Sequence, residues 1–203
     1  MEIHSRSFDL ESASFSPDLD PLLQRIYQSR GVNSQEALNK QLSCLPDPSL
    51  LKGMLESVVR LVEALKNNQQ IVIVGDFDAD GATSSALMML ALTTMGFKKI
   101  EFLVPNRFDY GYGLTPEIVD LATQYDPDLI ITVDNGISSI DGVDHAGNLG
   151  VDVIITDHHL PGEKLPNACA IVNPNQPGCS FPAKNLAGVG VAFYLLSGLR
   201  AEL

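Results

Sequence analysis

A chain of 203 residues can bury one sizeable core, and an apolar fraction of 45% is ordinary for a globular protein. No apolar run approaches the ~20 residues a membrane span needs, and the opening MEIHSRSFDLESASF lacks the basic start and apolar stretch of a secretory signal. The formal net charge of −12 speaks against an exposed nucleic-acid-binding face, which is usually basic.

In chain order, residues 1–17 are polar, rich in Ser and without period, and read as a loose arm. From Leu19 to Arg30 the residues Leu19, Leu22, Leu23, Ile26 and Tyr27 recur at helical spacing, and Gly31 stops the run. Asn33-Ser34-Gln35-Glu36 opens a second, short helix, and Leu45-Pro46-Asp47-Pro48 breaks the chain. Leu51, Leu55, Val58, Val59, Val62 and Leu65 predict a third helix ending near Asn67-Asn68. Residues 1–68 are therefore expected to form an arm and a small helical lead-in.

The pattern changes after residue 69. Apolar β-type runs occur at 71–74, 100–104, 129–133, 151–155 and 170–172, with helix-like stretches at 82–95, 115–124 and 138–149 between the first four. Continuous apolar strands alternating with helices predict an α/β fold, a parallel β-sheet with helices on both faces. Residues 186–202 form a further helix that is apolar nearly all round and so expected to be buried. A buried helix needs cover, so residues 69–203 are expected to be the first part of a catalytic domain that continues.

Each of the first four strands runs into a polar cluster: Asp76-Phe77-Asp78-Ala79-Asp80-Gly81, then Arg107 through Gly113, then Asp134-Asn135-Gly136, then Asp157-His158-His159. In an open parallel sheet, ligands bind beyond the carboxyl ends of the strands. Asp76, Asp78 and Asp80 in one strand-to-helix turn would repel one another without a cation. The string resembles the start of a calcium-binding EF-hand loop, but Leu87 stands where the closing Glu should be, so a catalytic metal is expected. Asp134 sits on the same rim and, with two oxygens, can bridge two ions.

Imidazole beside carboxylate in Asp157-His158-His159 suits borderline divalent ions such as Mn²⁺. Adjacent side chains diverge, so one histidine is expected to ligate and the other to work on substrate or water. Arg107 offers a fork to a phosphate, and Gly111 and Gly113 let backbone approach a ligand. His4 and His145 are assigned no role. Ser84 and Ser85 lie in no nucleophile elbow, and there is no phosphate-binding P-loop or dinucleotide fingerprint. Gly188-Val189-Gly190 is read as a site of tight helix packing. Cys44, Cys169 and Cys179 are odd in number without metal-ligand spacing, which predicts free thiols in a reducing cytoplasm.

VGDFDADGATS (74–84), VPNRFDYGYGL (104–114), TVDNGIS (132–138) and TDHHLPG (156–162) resemble, in order, the four motifs of the DHH phosphoesterases. IVNPNQPGC (171–179), LAGVGVAFYLL (186–196) and the lead-in string YQSRGVNS (27–34) resemble the single-strand-specific exonuclease branch of that family. The resemblance implies 5′-to-3′ hydrolysis of single-stranded DNA in recombination and repair, with Mn²⁺ or Mg²⁺, by a two-metal, activated-water mechanism. It implies metal ligands at Asp78, Asp80, Asp134 and His158, with Asp76 a further one. His159 matches the histidine that acts on the attacking water or departing group, with Asp157 orienting the pair and Arg107 on the phosphate. It also implies, beyond Leu203, a further metal-binding aspartate, a second catalytic-side domain and an OB-type nucleic-acid-binding domain; the domains, by carrying a basic surface, would answer the charge problem. A helicase or single-strand-binding protein is a partner the branch implies; a membrane is not. Two rival expectations remain: a family member acting on oligoribonucleotides, cyclic dinucleotides or pyrophosphate, which the acidic charge favours, and a non-catalytic scaffold that kept the fold.

Overall fold

A computed structural model of the chain describes residues 13–203, apart from the side chain of Arg107. His4 and most of the arm lie outside the described residues. By contacts the chain divides into two compact units, Met1–Leu45 and Pro46–Leu203.

In the first unit, helix α1 spans Pro21–Gln28. It begins two residues inside the predicted run because the Asp20 carboxylate accepts the Leu22 N–H at 2.8 Å and Pro21 fills the first turn, where no N–H is needed. The second predicted helix is a single 3₁₀ turn, Glu36–Leu38. The end of the expected loose arm is fastened. Ser14 donates to the Asn33 carbonyl at 2.8 Å and accepts the Gln35 N–H at 3.0 Å.

The second unit is an α/β layer structure. Its strands are β1 (Ile71–Gly75), β2 (Ile100–Leu103), β3 (Leu129–Val133), β4 (Asp152–Thr156) and β5 (Ala170–Val172). They form one sheet in the order β2-β1-β3-β4-β5, and every pairing is parallel. The helices are α2 (Met54–Lys66), α3 (Ala79–Thr94), the four-residue α4 (Arg107–Tyr110), α5 (Pro116–Ala122), α6 (Ile140–Asn148) and α7 (Gly188–Glu202).

Two cores cover the two faces, as alternation along the strands requires. Ile71 and Ile73 of β1 and Leu129, Ile131 and Val133 of β3 face α2, α3 and α7. Val72, Val74, Ile130, Val153 and Ile155 face α5 and α6. Helix α2, read with the lead-in from sequence, thus supplies Met54, Val58, Leu61 and Ala64 to the core under the sheet. β2 departs from the predicted fully covered strands. It is an edge, and Phe102 is 54% exposed.

Helix α7 is buried as its composition requires, and α2 and α3 pack along it. Gly142 in α6 lies against the Leu114 backbone, where an added Cβ would come within 1.9 Å of the carbonyl oxygen. Gly142→Ala should therefore destabilise the fold by about 1–3 kcal/mol, read as a lower urea midpoint at unchanged slope.

The order 2-1-3-4-5 reverses direction between β1 and β3, and side chains beyond the carboxyl ends of those strands are thrown together there. Asp76 and Asp78 follow β1, Asp134 follows β3, and Asp157, His158 and His159 follow β4.

Candidate metal centre

Asp134 is the centre of the arrangement. It is 1% exposed and holds a left-handed backbone, φ 61°, which strains a residue with a side chain. Its N–H is held by the Thr156 carbonyl of β4 at 2.9 Å. The next residue, Asn135, donates its side-chain amide to the carbonyls of Val74 in β1 (3.1 Å) and Val133 in β3 (2.9 Å). The two acid-bearing turns are thus fixed relative to each other at the switch point.

Two groups of side chains that could hold a metal ion share Asp134. Asp76, Asp78 and Asp134 each place a carboxylate oxygen within 4.8 Å of the others, and so do ligand atoms of Asp134, His158 and His159. His158 Nε2 lies 3.1 Å from Asp134 Oδ1, yet Oδ1 is buried without a hydrogen-bond partner among the described residues. Two such atoms facing each other without hydrogen-bond angles are placed like neighbouring ligands of one ion, which in an octahedral shell sit roughly 3 Å apart. Burial, then the charges of Asp80 and Asp78, push the Asp134 carboxyl up to about 7. A divalent cation removes that conflict, and carboxylates with one imidazole are a donor set that fits Mn²⁺ or Mg²⁺.

Asp78 also caps α3, where Oδ1 accepts the Gly81 N–H at 2.9 Å. Asp80 is placed differently from the other two acids of its turn. Its Oδ2 accepts the Gly188 N–H and its Oδ1 the Val189 N–H, both at 2.7 Å, while His158 Nε2 stands 3.7 Å from Oδ2. An oxygen that accepts one amide keeps a second lone pair for a metal. Ser84 and Ser85 donate to the Asp80 and Gly81 carbonyls of their own helix, which leaves their oxygens turned into α3.

Asp157 is 1% exposed and orients the histidine pair. Its Oδ2 accepts the Ile137 N–H at 2.9 Å; its Oδ1 accepts the N–H groups of His158 (2.7 Å) and His159 (3.1 Å) and meets His159 Nδ1 at 2.7 Å. This contact makes Nδ1 the donor and leaves Nε2 for chemistry. Burial pulls the His159 pKa down, but the hydrogen bond and charge of Asp157, followed by the charges of Asp134 and Asp76, outweigh it and the net shift is upward. Tyr112 packs edge-on against His159, ring centroids 5.9 Å apart.

The loop after β2 carries the phosphate-binding expectation. Gly111 and Gly113 have φ of +80° and +79°, so the turn itself demands glycine, and a Cβ on Gly113 would meet Ser139 Oγ at 2.8 Å. Of Arg107 the backbone alone is described, as the first residue of α4. A cavity of about 420 Å³ opens beside His159, between Tyr112 and the first turn of α6 at Ser139, Ile140 and Asp141.

Sequence reasoning did not single out the asparagines of the β5–α7 segment. Asn175 donates to the His158 carbonyl at 2.6 Å, and Asn173 to the His159 carbonyl at 3.0 Å. Their signal was a polar pair just after a strand; nothing in their spacing said which loop they would meet. His145 pairs with Asp120 at 2.7 Å, away from the centre.

Residues 70–203 match the model of the DHH family, N-terminal domain. The single-stranded-DNA-specific exonuclease RecJ of Escherichia coli is 51% identical over 203 residues, all of this chain and 35% of that protein. The chain therefore spans about a third of the length of this relative. A crystal structure of exonuclease RecJ bound to manganese matches 80% of this chain and 40% of its own, at 36% identity and TM-score 0.70. RecJ of Thermus thermophilus in complex with Mn²⁺ matches 95% of this chain and 29% of its own, at 31% identity and TM-score 0.69; its Mg²⁺ complex matches with TM-score 0.52. The chain belongs to the DHH family, whose N-terminal domain it carries.

Proposed function

We propose that this chain is the metal-binding part of a single-strand-specific DNA exonuclease that works from the 5′ end with Mn²⁺ or Mg²⁺. The observation that carries the reading is Asp134, a buried, strained carboxylate shared by two ligand groups. Its support from outside the site is the identity with RecJ over the whole chain.

Asp76, Asp78, Asp134 and His158 would hold the ions, with Asp80 alongside. Divalent ions so held lower the pKa of water and neutralise phosphate charge. The chain's own groups do the rest. Asp157 fixes His159 with Nδ1 protonated, so that the Nε2 lone pair can take a proton from the attacking water and the imidazolium so formed can pass it to a departing oxygen. Arg107 is assigned to the phosphate, and the cavity beside His159 to the terminal nucleotide. We place the protein in the cytoplasm, which agrees with the free thiols of Cys44, Cys169 and Cys179. Among the described residues no helix is long and apolar enough to cross a membrane. A helicase or single-strand-binding protein as partner rests on the family resemblance.

The net charge of −12 favours a second reading, hydrolysis of small substrates. A 5′-phosphorylated, 3′-labelled single strand and a dinucleotide, incubated with the full-length protein and Mn²⁺, separate the two. Progressive shortening of the strand with little dinucleotide cleavage is expected, and EDTA should stop it. Rapid dinucleotide cleavage with the strand intact would establish the small-substrate reading instead.

A further inference from the structure

We infer that the first turn of α7 is a working part of the metal centre, with the Gly188 and Val189 N–H groups as positioning groups for Asp80. The inference rests on the metal-dependent reading above and deepens it.

The first N–H groups of a helix have no partner within it. The N-cap of α7, Ala187, has no side chain able to serve them. Both are served instead by Asp80, from 108 and 109 residues away. Each carboxylate oxygen takes one amide at 2.7 Å, so the plane and rotamer of Asp80 are set by the backbone of α7. The positive end of a 15-residue helix is thereby directed at a cluster of aspartates. Two amides leave the carboxylate with lone pairs for an ion while holding it at one place, which is how outer partners tune metal ligands.

A second observation reaches the same turn independently. A Cβ on Gly188 would lie 2.3 Å from Asp134 Oδ1, 2.7 Å from its Cγ and 2.8 Å from its Cβ. Oδ1 is the buried oxygen that has no hydrogen-bond partner among the described residues, and Asp134 is only 1% exposed, so its side chain has nowhere to swing. Gly188 is therefore glycine because Asp134 occupies the space of its side chain. Gly190 differs: its added Cβ would come within 2.5 Å of Leu186 Cδ1 and 2.8 Å of Leu186 Cγ, so the group that would have to shift is an aliphatic side chain and not an acid of the centre. One glycine of the Gly188-Val189-Gly190 string belongs to the centre and the other makes room for Leu186.

The test uses Gly188→Ala and Val189→Pro in the full-length protein. The first pushes a methyl group into Asp134. The second removes one amide donor to Asp80, and proline is tolerated in the first turn of a helix. Mn²⁺ is titrated calorimetrically into each metal-stripped protein, and thermal unfolding in EDTA serves as control. Gly188→Ala and Val189→Pro should each weaken Mn²⁺ binding by about 10- to 100-fold, the range seen when outer partners are removed. Unfolding in EDTA should stay close to wild type for Val189→Pro. Wild-type Mn²⁺ affinity in a folded Gly188→Ala protein overturns the inference. If that variant does not fold, wild-type affinity in Val189→Pro does so. A wild-type protein that binds no Mn²⁺ overturns both this inference and the metal-dependent reading; unchanged variants of a binding-competent protein overturn this inference alone.

Discussion

Asp134→Asn should lower hydrolysis of single-stranded DNA by at least about 10³-fold, while making the metal-stripped protein more stable. The loss follows from the position of Asp134 in both ligand groups. Metal stabilisation of developing charge is worth several kcal/mol, and each 1.36 kcal/mol is tenfold in rate. The gain follows from the same geometry. Without a cation, Asp134 is buried beside Asp80 and Asp78, and its pKa is pushed from 3.8 up to about 7, by burial first. A group whose folded pKa is raised favours the fold while protonated. That contribution is complete below the ordinary value of 3.8 and is lost as pH rises through about 7. Asparagine cannot ionise, so the stability difference between variant and wild type in EDTA should widen from pH 5 to pH 8. Unfolding midpoints at the two pH values decide it. A variant less stable than wild type at pH 8 in EDTA would show that Asp134 has a favourable partner the present geometry lacks.

His159→Ala should reduce kcat by about 10²–10⁴-fold, the usual worth of a positioned proton donor, and leave most of the Mn²⁺ affinity in place. Asp76, Asp78, Asp134 and His158 all remain in the variant. His159 also falls within one of the two ligand groups, so a large loss of Mn²⁺ binding would reassign it as a ligand. Asp157→Asn should act through His159. All the groups that the Asp157 carboxylate meets at hydrogen-bond distance, three backbone N–H groups and His159 Nδ1–H, are donors. An amide must turn its NH₂ toward at least one of them, which costs about 1–3 kcal/mol of stability for an unmet donor. It also removes the charge that holds the His159 proton. A kcat loss of about 10²-fold is expected from Asp157→Asn alone. The double variant should be no slower than His159→Ala, because groups that act as a unit are not additive. Multiplying losses would mean that Asp157 has a role independent of His159.

The strands and helices of the second unit were legible because the hydrophobic patterns there are unambiguous. IVIV, LIITV and VDVII are apolar runs too short for helices and bounded by turn residues, and they became β1, β3 and β4. The lead-in was less legible, since short polar helices depend on caps: Asp20 set where α1 starts, and the second helix shrank to one turn. The place of α2 could not be read, because an amphipathic helix shows that it has a buried face but not which surface buries it.

The sequence by itself determined the parallel α/β architecture and the rim of acids and histidines at the strand ends. Both are consequences of period and of chain order, which are local properties. The tertiary structure decided how those residues divide the work. The 2-1-3-4-5 order brings Asp134 between the β1 acids and the β4 histidines. It gives Asp157 to four hydrogen-bond donors and separates Asp80 from Asp76 and Asp78 by tying it to α7. Gly188 shows why this could not be read in advance. Its neighbour Asp134 is 54 residues away in the chain, and whether a glycine serves a turn, a helix interface or a metal centre depends on what fills the space of its missing side chain.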